Sequence, residues 1–187
     1  YFVTFSLAAL VQVDLAEGLV DAAVAHAAEA ETAAALAEAP HPEVIALQSS
    51  GIALHRSGDL PAAAAKLRRA AEGYRSIGRM DEAYWVEAEL AEVLLDTGEA
   101  DEALRLARGV FPLVERDVYS EVEGAPFLIS LHRVIEALDP EAATEVARGA
   151  GRLHRRCAEQ VADEEVRAAL LATPAYRRLA ELAARAA

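Results

Sequence analysis

Five histidines and one cysteine are the side chains here best suited to hold a metal or attack a substrate: His26, His41, His55, His132, His154 and Cys157. A zinc hydrolase places two histidines one helical turn apart with a glutamate beside the first, and none of the five is spaced that way. His55 and His132 could share a surface, but the ordinary role of a lone histidine is to pack in a core or face water. Cys157 follows Arg155 and Arg156, whose charges would favour a thiolate. No histidine base is assured beside it, however, and a single cysteine allows neither an intrachain disulfide nor a multi-thiolate metal site. A small residue near the end of a long helix is the plainer reading. No metal and no cofactor is expected.

Two basic runs, "KLRRA" from Lys66 and "GRLHRRCAE" from Gly151, raise the question of phosphate binding. Lys66, Arg68 and Arg69 point to more than one side of a helix and sit among acids, which describes a solvated face. The chain as a whole carries a formal charge of −13, which opposes docking to nucleic acid or to an anionic membrane. A basic patch on a partner protein suits that charge better. Glycine-rich phosphate loops, the kinase signature set and the serine elbow are all absent from the sequence. The sequence reads as a non-enzyme that binds a protein or peptide.

What positions such a binding surface must be helical. Of 187 residues 54% are hydrophobic, much of that alanine, while aromatics make up only 5%. Small side chains let helices approach closely, which favours helix on helix. No apolar run reaches the roughly 18 residues of a membrane span. The opening "YFVTFSLAALVQVDLAEG" is interrupted by Asp14 and Glu17 and reads as an amphipathic helix. Its pattern begins at Tyr1, from which a piece of a larger protein is expected, in a reducing cytoplasmic setting.

A period of 40 residues runs through the chain. Gly18, Gly58 and Gly98 stand at that spacing beside acids, in "AEGLVD", "RSGDLP" and "DTGEAD". The same step carries Ala23 to Ala63, Ala103 and Ala143, and Val11 to Gly51, Ala91 and Leu131. Each unit reads as two helices and a tight turn: 3–17 with 20–38, 43–57 with 60–77, 81–97 with 100–117, and 125–138 with 140–161. Gly58 stops one helix and Pro61 opens the next. Asp59, Asp101 and Asp139 are placed as caps or first-turn acids. Helices at 163–172 and 175–186, with Pro174 between, would close the exposed end of the array, so the cap is 163–187.

The paired pattern resembles the tetratricopeptide repeat, carried by Leu47, Gly51 and Leu54, the turn at Gly58, and Ala63, Leu67 and Ala70. The usual period is 34 residues, and 40 corresponds to the longer units of large bacterial signalling proteins and transcriptional regulators. The resemblance implies an all-α, right-handed α-solenoid of about four pairs (3–38, 43–77, 81–117, 125–161) with C-terminal capping helices, as a single domain over 1–187. It also implies that first helices line a concave groove. The rows that would face it are Phe5, Ile45, Trp85 and Ala125; Ala8, Gln48, Ala88 and Leu128; Gln12, Ile52, Glu92 and His132; and Ala16, Arg56, Asp96 and Glu136. Phe5, Gln12, Ile45, Gln48, Ile52, His55, Arg56, Trp85, Glu92 and His132 are therefore the candidate binding residues. Their plainer role is to fill contacts between repeats. Two functions follow: a scaffold that docks a peptide, a partner helix or its own upstream domain, or a small-ligand sensor within a regulator.

Overall fold

The computed structural model describes residues 2–117, 119 and 124–186. Among them the chain is all-helical, with ten helices and no strand. In order these are α1 (Phe2–Glu17), α2 (Val20–Ala37), α3 (Pro40–Ser57), α4 (Leu60–Ser76), α5 (Met80–Thr97), α6 (Ala100–Arg116), α7 (Gly124–Leu138), α8 (Pro140–Gln160), α9 (Glu164–Leu171) and α10 (Pro174–Arg185). Every expected helix is present. Boundaries agree within a residue or two except at α3, which starts at Pro40 rather than 43. Proline lacks the N–H that a first helical turn leaves unused, so Pro40 and Pro42 open this helix instead of linking to it. Ala187, the last residue of the expected cap, lies outside the described residues. No described helix is long and apolar enough to cross a membrane.

The turns follow from their residues. Gly58 takes φ +89°, the left-handed region that glycine enters without strain, and its N–H closes on the His55 carbonyl at 3.1 Å. Asp59 then caps α4, accepting the Ala62 N–H at 3.3 Å. Asp163 caps α9 in the same manner, through the N–H groups of Glu165 and Val166. Asp139 stands at the N-terminal boundary of α8, but its carboxylate goes to Arg108 at 2.9 Å instead of to a backbone N–H.

The helices gather into two compact units, residues 1–99 and 100–187. In the first, each helix packs on the next, and α3 also touches α1 and α5, giving a repeat-like order. Its core is built from small residues. Ala23, Ala27 and Ala53 surround Val11, and Ala30, Ala34 and Ala46 pack with Leu7. Gly51 belongs to this economy of size, since a Cβ there would lie 2.6 Å from Leu67 Cγ. In the second unit α7 and α8 pair, α6 packs on both, and α10 lies across α7 and α8 with Tyr176, Leu179 and Leu182 buried. Arg156 ties the segment after α6 to α8: its guanidinium donates to Asp117 at 2.8 Å and to the Tyr119 carbonyl at 3.0 Å.

Candidate functional site

Ile45, Gln48, Ile52 and His55 recur on α3 at steps of three, four and three and are all half-buried, so they form one stripe with exposed Arg56 at its end. The facing stripe on α5 holds Trp85, Glu89, Glu92 and Asp96. Two side-chain hydrogen bonds join them. Gln48 Nε2 donates to Glu89 Oε2 at 3.4 Å, and His55 Nε2 donates to Asp96 Oδ2 at 2.8 Å. The carboxylate of Asp96 can only accept, so Nε2 is the protonated ring nitrogen. Tyr74 from α4 donates to Gln48 Oε1 at 2.9 Å, which uses the other end of that amide and fixes its orientation.

The resulting face has apolar patches at Ile45, Ile52 and Trp85 separated by polar groups already held by neighbours. Its charge is acidic along α5, through Glu89 and Asp96, with Arg56 as the opposing cation. The Trp85 indole N–H is enclosed and has no hydrogen-bond partner among the described residues. Phe5 and Gln12 are exposed on α1 in the same repeat register.

Two candidates are placed differently from the sequence reading. Glu92 is buried on α5, and His132 is buried on α7 in the second unit. Repeat register gives a residue's height along its helix, whereas burial depends on what covers it. α5 lies under both α3 and α4, and α7 is enclosed by α6, α8 and α10. Ala88, Ala125 and Leu128, read as outward, are buried for the same reason. Burial holds the His132 imidazole below its ordinary pKa, with Arg178 and Arg185 acting in the same direction and Glu136, 3.6 Å from Nδ1, acting against them.

Among the remaining chemistry-bearing residues, His26, His41 and Cys157 make structural contacts. His26 Nδ1 meets Asp14 at 2.6 Å between α1 and α2. His41 sits edge-on to the Tyr74 ring, its pKa lowered by burial and by Arg79. Cys157 is buried, and its Sγ accepts a hydrogen bond from the Tyr176 hydroxyl at 3.1 Å. In the "KLRRA" run Lys66 pairs with Glu31 at 2.5 Å, Arg68 with Glu99 at 3.6 Å and Arg69 with Glu43 at 3.3 Å.

Two clefts lie off the α3–α5 stripe. One, of about 510 Å³, runs between α2, α3 and α4, with Glu31, Ala34, Glu38, Glu43, Leu47 and Arg69 on its walls. The other, of about 380 Å³, opens between α1 and α2. Sequence reasoning missed Glu89 and Tyr74. The bonded pairs across α3 and α5 are 41 residues apart, one more than the repeat, so exact-register rows pass Glu89 by. Comparison with known protein-family models, with curated proteins and with solved structures yields no match to this chain.

Proposed function

We propose that the chain is a protein-interaction module of the tetratricopeptide type, docking an extended or helical segment with apolar and basic side chains on the α3–α5 face. The observation that carries this reading is the pair of cross-helix bonds, Gln48 to Glu89 and His55 to Asp96. They hold polar side chains in place before any partner arrives, so Ile45, Ile52 and Trp85 are presented on a rigid surface and less ordering entropy is lost on docking. The acidic edge on α5 and the net charge of −13 favour a basic partner and speed its encounter. The reading includes a right-handed stack within a larger cytoplasmic protein, with the partner supplied by another chain or by an upstream domain.

Capture of partners from a peptide library, followed by calorimetry, tests it. Trp85→Ala and Ile52→Glu should each weaken a captured basic, apolar peptide by tenfold or more, about 1.4 kcal/mol. Unchanged affinity in both variants removes this face from the function. A second reading, a small-ligand sensor, draws on the 510 Å³ cleft, whose size falls in the usual range of ligand pockets. Its glutamates would suit a cationic amine. A thermal-shift screen against amines separates the two readings, because only a bound ligand raises the melting temperature.

A further inference from the structure

The α3–α5 face alternates along its length. It has four levels, set by the steps of three, four and three residues that separate Ile45, Gln48, Ile52 and His55. The first is apolar, with Ile45 on α3 and Trp85 on α5, and the second is polar, where Gln48 donates to Glu89. The third is apolar again: Ile52 is half-buried there, and Glu92, its counterpart forty residues on, is buried. At the fourth, polar level His55 donates to Asp96. Apolar groups thus recur seven residues apart on α3, as Ile45 and Ile52, and carboxylates seven apart on α5, as Glu89 and Asp96.

The spacing of the levels selects the shape of what can lie on them. At a helical rise of about 1.5 Å per residue the four span about 15 Å, roughly 5 Å from one to the next. A partner helix laid along α3 and α5 brings a side chain to this surface once per turn, about 5.4 Å, and stays in step over all four levels. An extended segment presents one face at every second residue, about 6.6 Å, and is out of step by roughly 5 Å at the fourth. Charge selects the side chains. Residues 1–99 hold 16 Asp and Glu against 6 Lys and Arg, and Glu89 and Asp96 put carboxylates at the second and fourth levels, so a partner that complements them is basic there. Arg56, exposed at the fourth level, opposes this at that level alone.

We propose that the segment docked on the α3–α5 face is a basic amphipathic helix with a seven-residue repeat, its first position apolar and seated against Ile45, Trp85 and Ile52, its fourth and fifth positions Lys or Arg reaching Glu89 and Asp96. The occupant so assigned depends on that face being the docking site. On such a helix the fourth and fifth positions lie within about 60° of the first, so a single side carries the whole pattern. A partner running with α3 and α5 meets the carboxylates through its fifth position, and one running against them through its fourth.

Calorimetry on the whole chain with two synthetic peptides of about three heptads tests this, a length at which a helix can hold. Both carry leucine at the first position. One has lysine at the fourth and fifth, and the other has the same lysines at the third and sixth, on the far side of the helix, so composition and charge are equal. The first should bind at least tenfold more tightly. Glu89→Lys combined with Asp96→Lys should weaken it by tenfold or more, and a peptide with glutamate in place of each lysine should recover the loss, which a misfolded variant could not do. Arg56→Ala should tighten the lysine peptide. Equal affinity for the two isomers, no recovery by the glutamate peptide, or no binding of either isomer overturns the helix. If equal binding is still lost in Trp85→Ala and Ile52→Glu, the face stands as a docking site without this occupant; if both variants leave it unmoved, the face falls too.

Discussion

His55 and Asp96 meet at 2.8 Å across α3 and α5, 41 residues apart in the chain, with the histidine side chain the more enclosed of the two. The contact is partly open to water, so its contribution to stability is small, about 0–1 kcal/mol. We expect Asp96→Ala to shift urea unfolding by no more than that. Its effect should appear instead in binding, as weaker capture of basic peptides and a shallower dependence of affinity on salt.

Two glycines inside helices should respond in opposite directions to alanine. In both, removing glycine's backbone freedom favours the helix by roughly 1 kcal/mol. At Gly109 of α6 a new Cβ meets nothing within 4 Å, so Gly109→Ala should raise stability by about that amount. At Gly51 the new Cβ would lie 2.6 Å from Leu67 Cγ, in a fully buried side chain that has no room to turn aside. Overpacking there costs about 1–3 kcal/mol, so Gly51→Ala should be destabilising, and thermal melts of the two variants should bracket the wild type.

Acid should destabilise the protein through His132. Its pKa is lowered in the fold from an ordinary value of 6.5, chiefly by burial. Above pH 6.5 the ring is neutral whether the chain is folded or not, and no penalty exists. Below it the unfolded chain takes up a proton that the folded one resists, so stability falls with pH until the folded-state pKa is reached. We expect His132→Leu to lose less stability than the wild type between pH 7.5 and 5.5, roughly the window below a normal histidine pKa, as read from denaturant midpoints at each pH.

Arg156 should resist conservative replacement. It lies 5.5 Å over the Tyr119 ring while donating to Asp117 and to the Tyr119 carbonyl. A lysine supplies one compact charge in place of a planar fork, and cannot serve all three contacts. Arg156→Ala is expected to cost about 2 kcal/mol, the worth of charge-assisted bonds in a part-buried site. Arg156→Lys should recover less than half of that in chemical denaturation.

Much of the fold was legible because helical spacing and turn chemistry are local. Gly58, Pro61 and Pro174 announce where helices stop and start, and a repeat confirms each boundary several times over. Pro40 misled only because proline serves equally in a linker and in a first helical turn. The candidate face was legible in part. Ile45, Gln48, Ile52 and His55 lie on one stripe as their spacing requires, since that too is a property of one helix. Glu92 and His132 were read as outward because no local signal tells which side of a helix a later element will cover. Glu89 escaped for a related reason: contacts across α3 and α5 depend on how two helices slide past each other, and that offset is written in neither helix alone.

The buried row of α2 is alanine at every position, Ala23, Ala27, Ala30 and Ala34. Four methyl groups withdraw little apolar surface from water, so this helix adds little to the heat capacity of unfolding and its amides should exchange with solvent sooner than those of α3. Opening of the α1–α2 pair then precedes global unfolding, and hydrogen exchange would report it as a separate, earlier event.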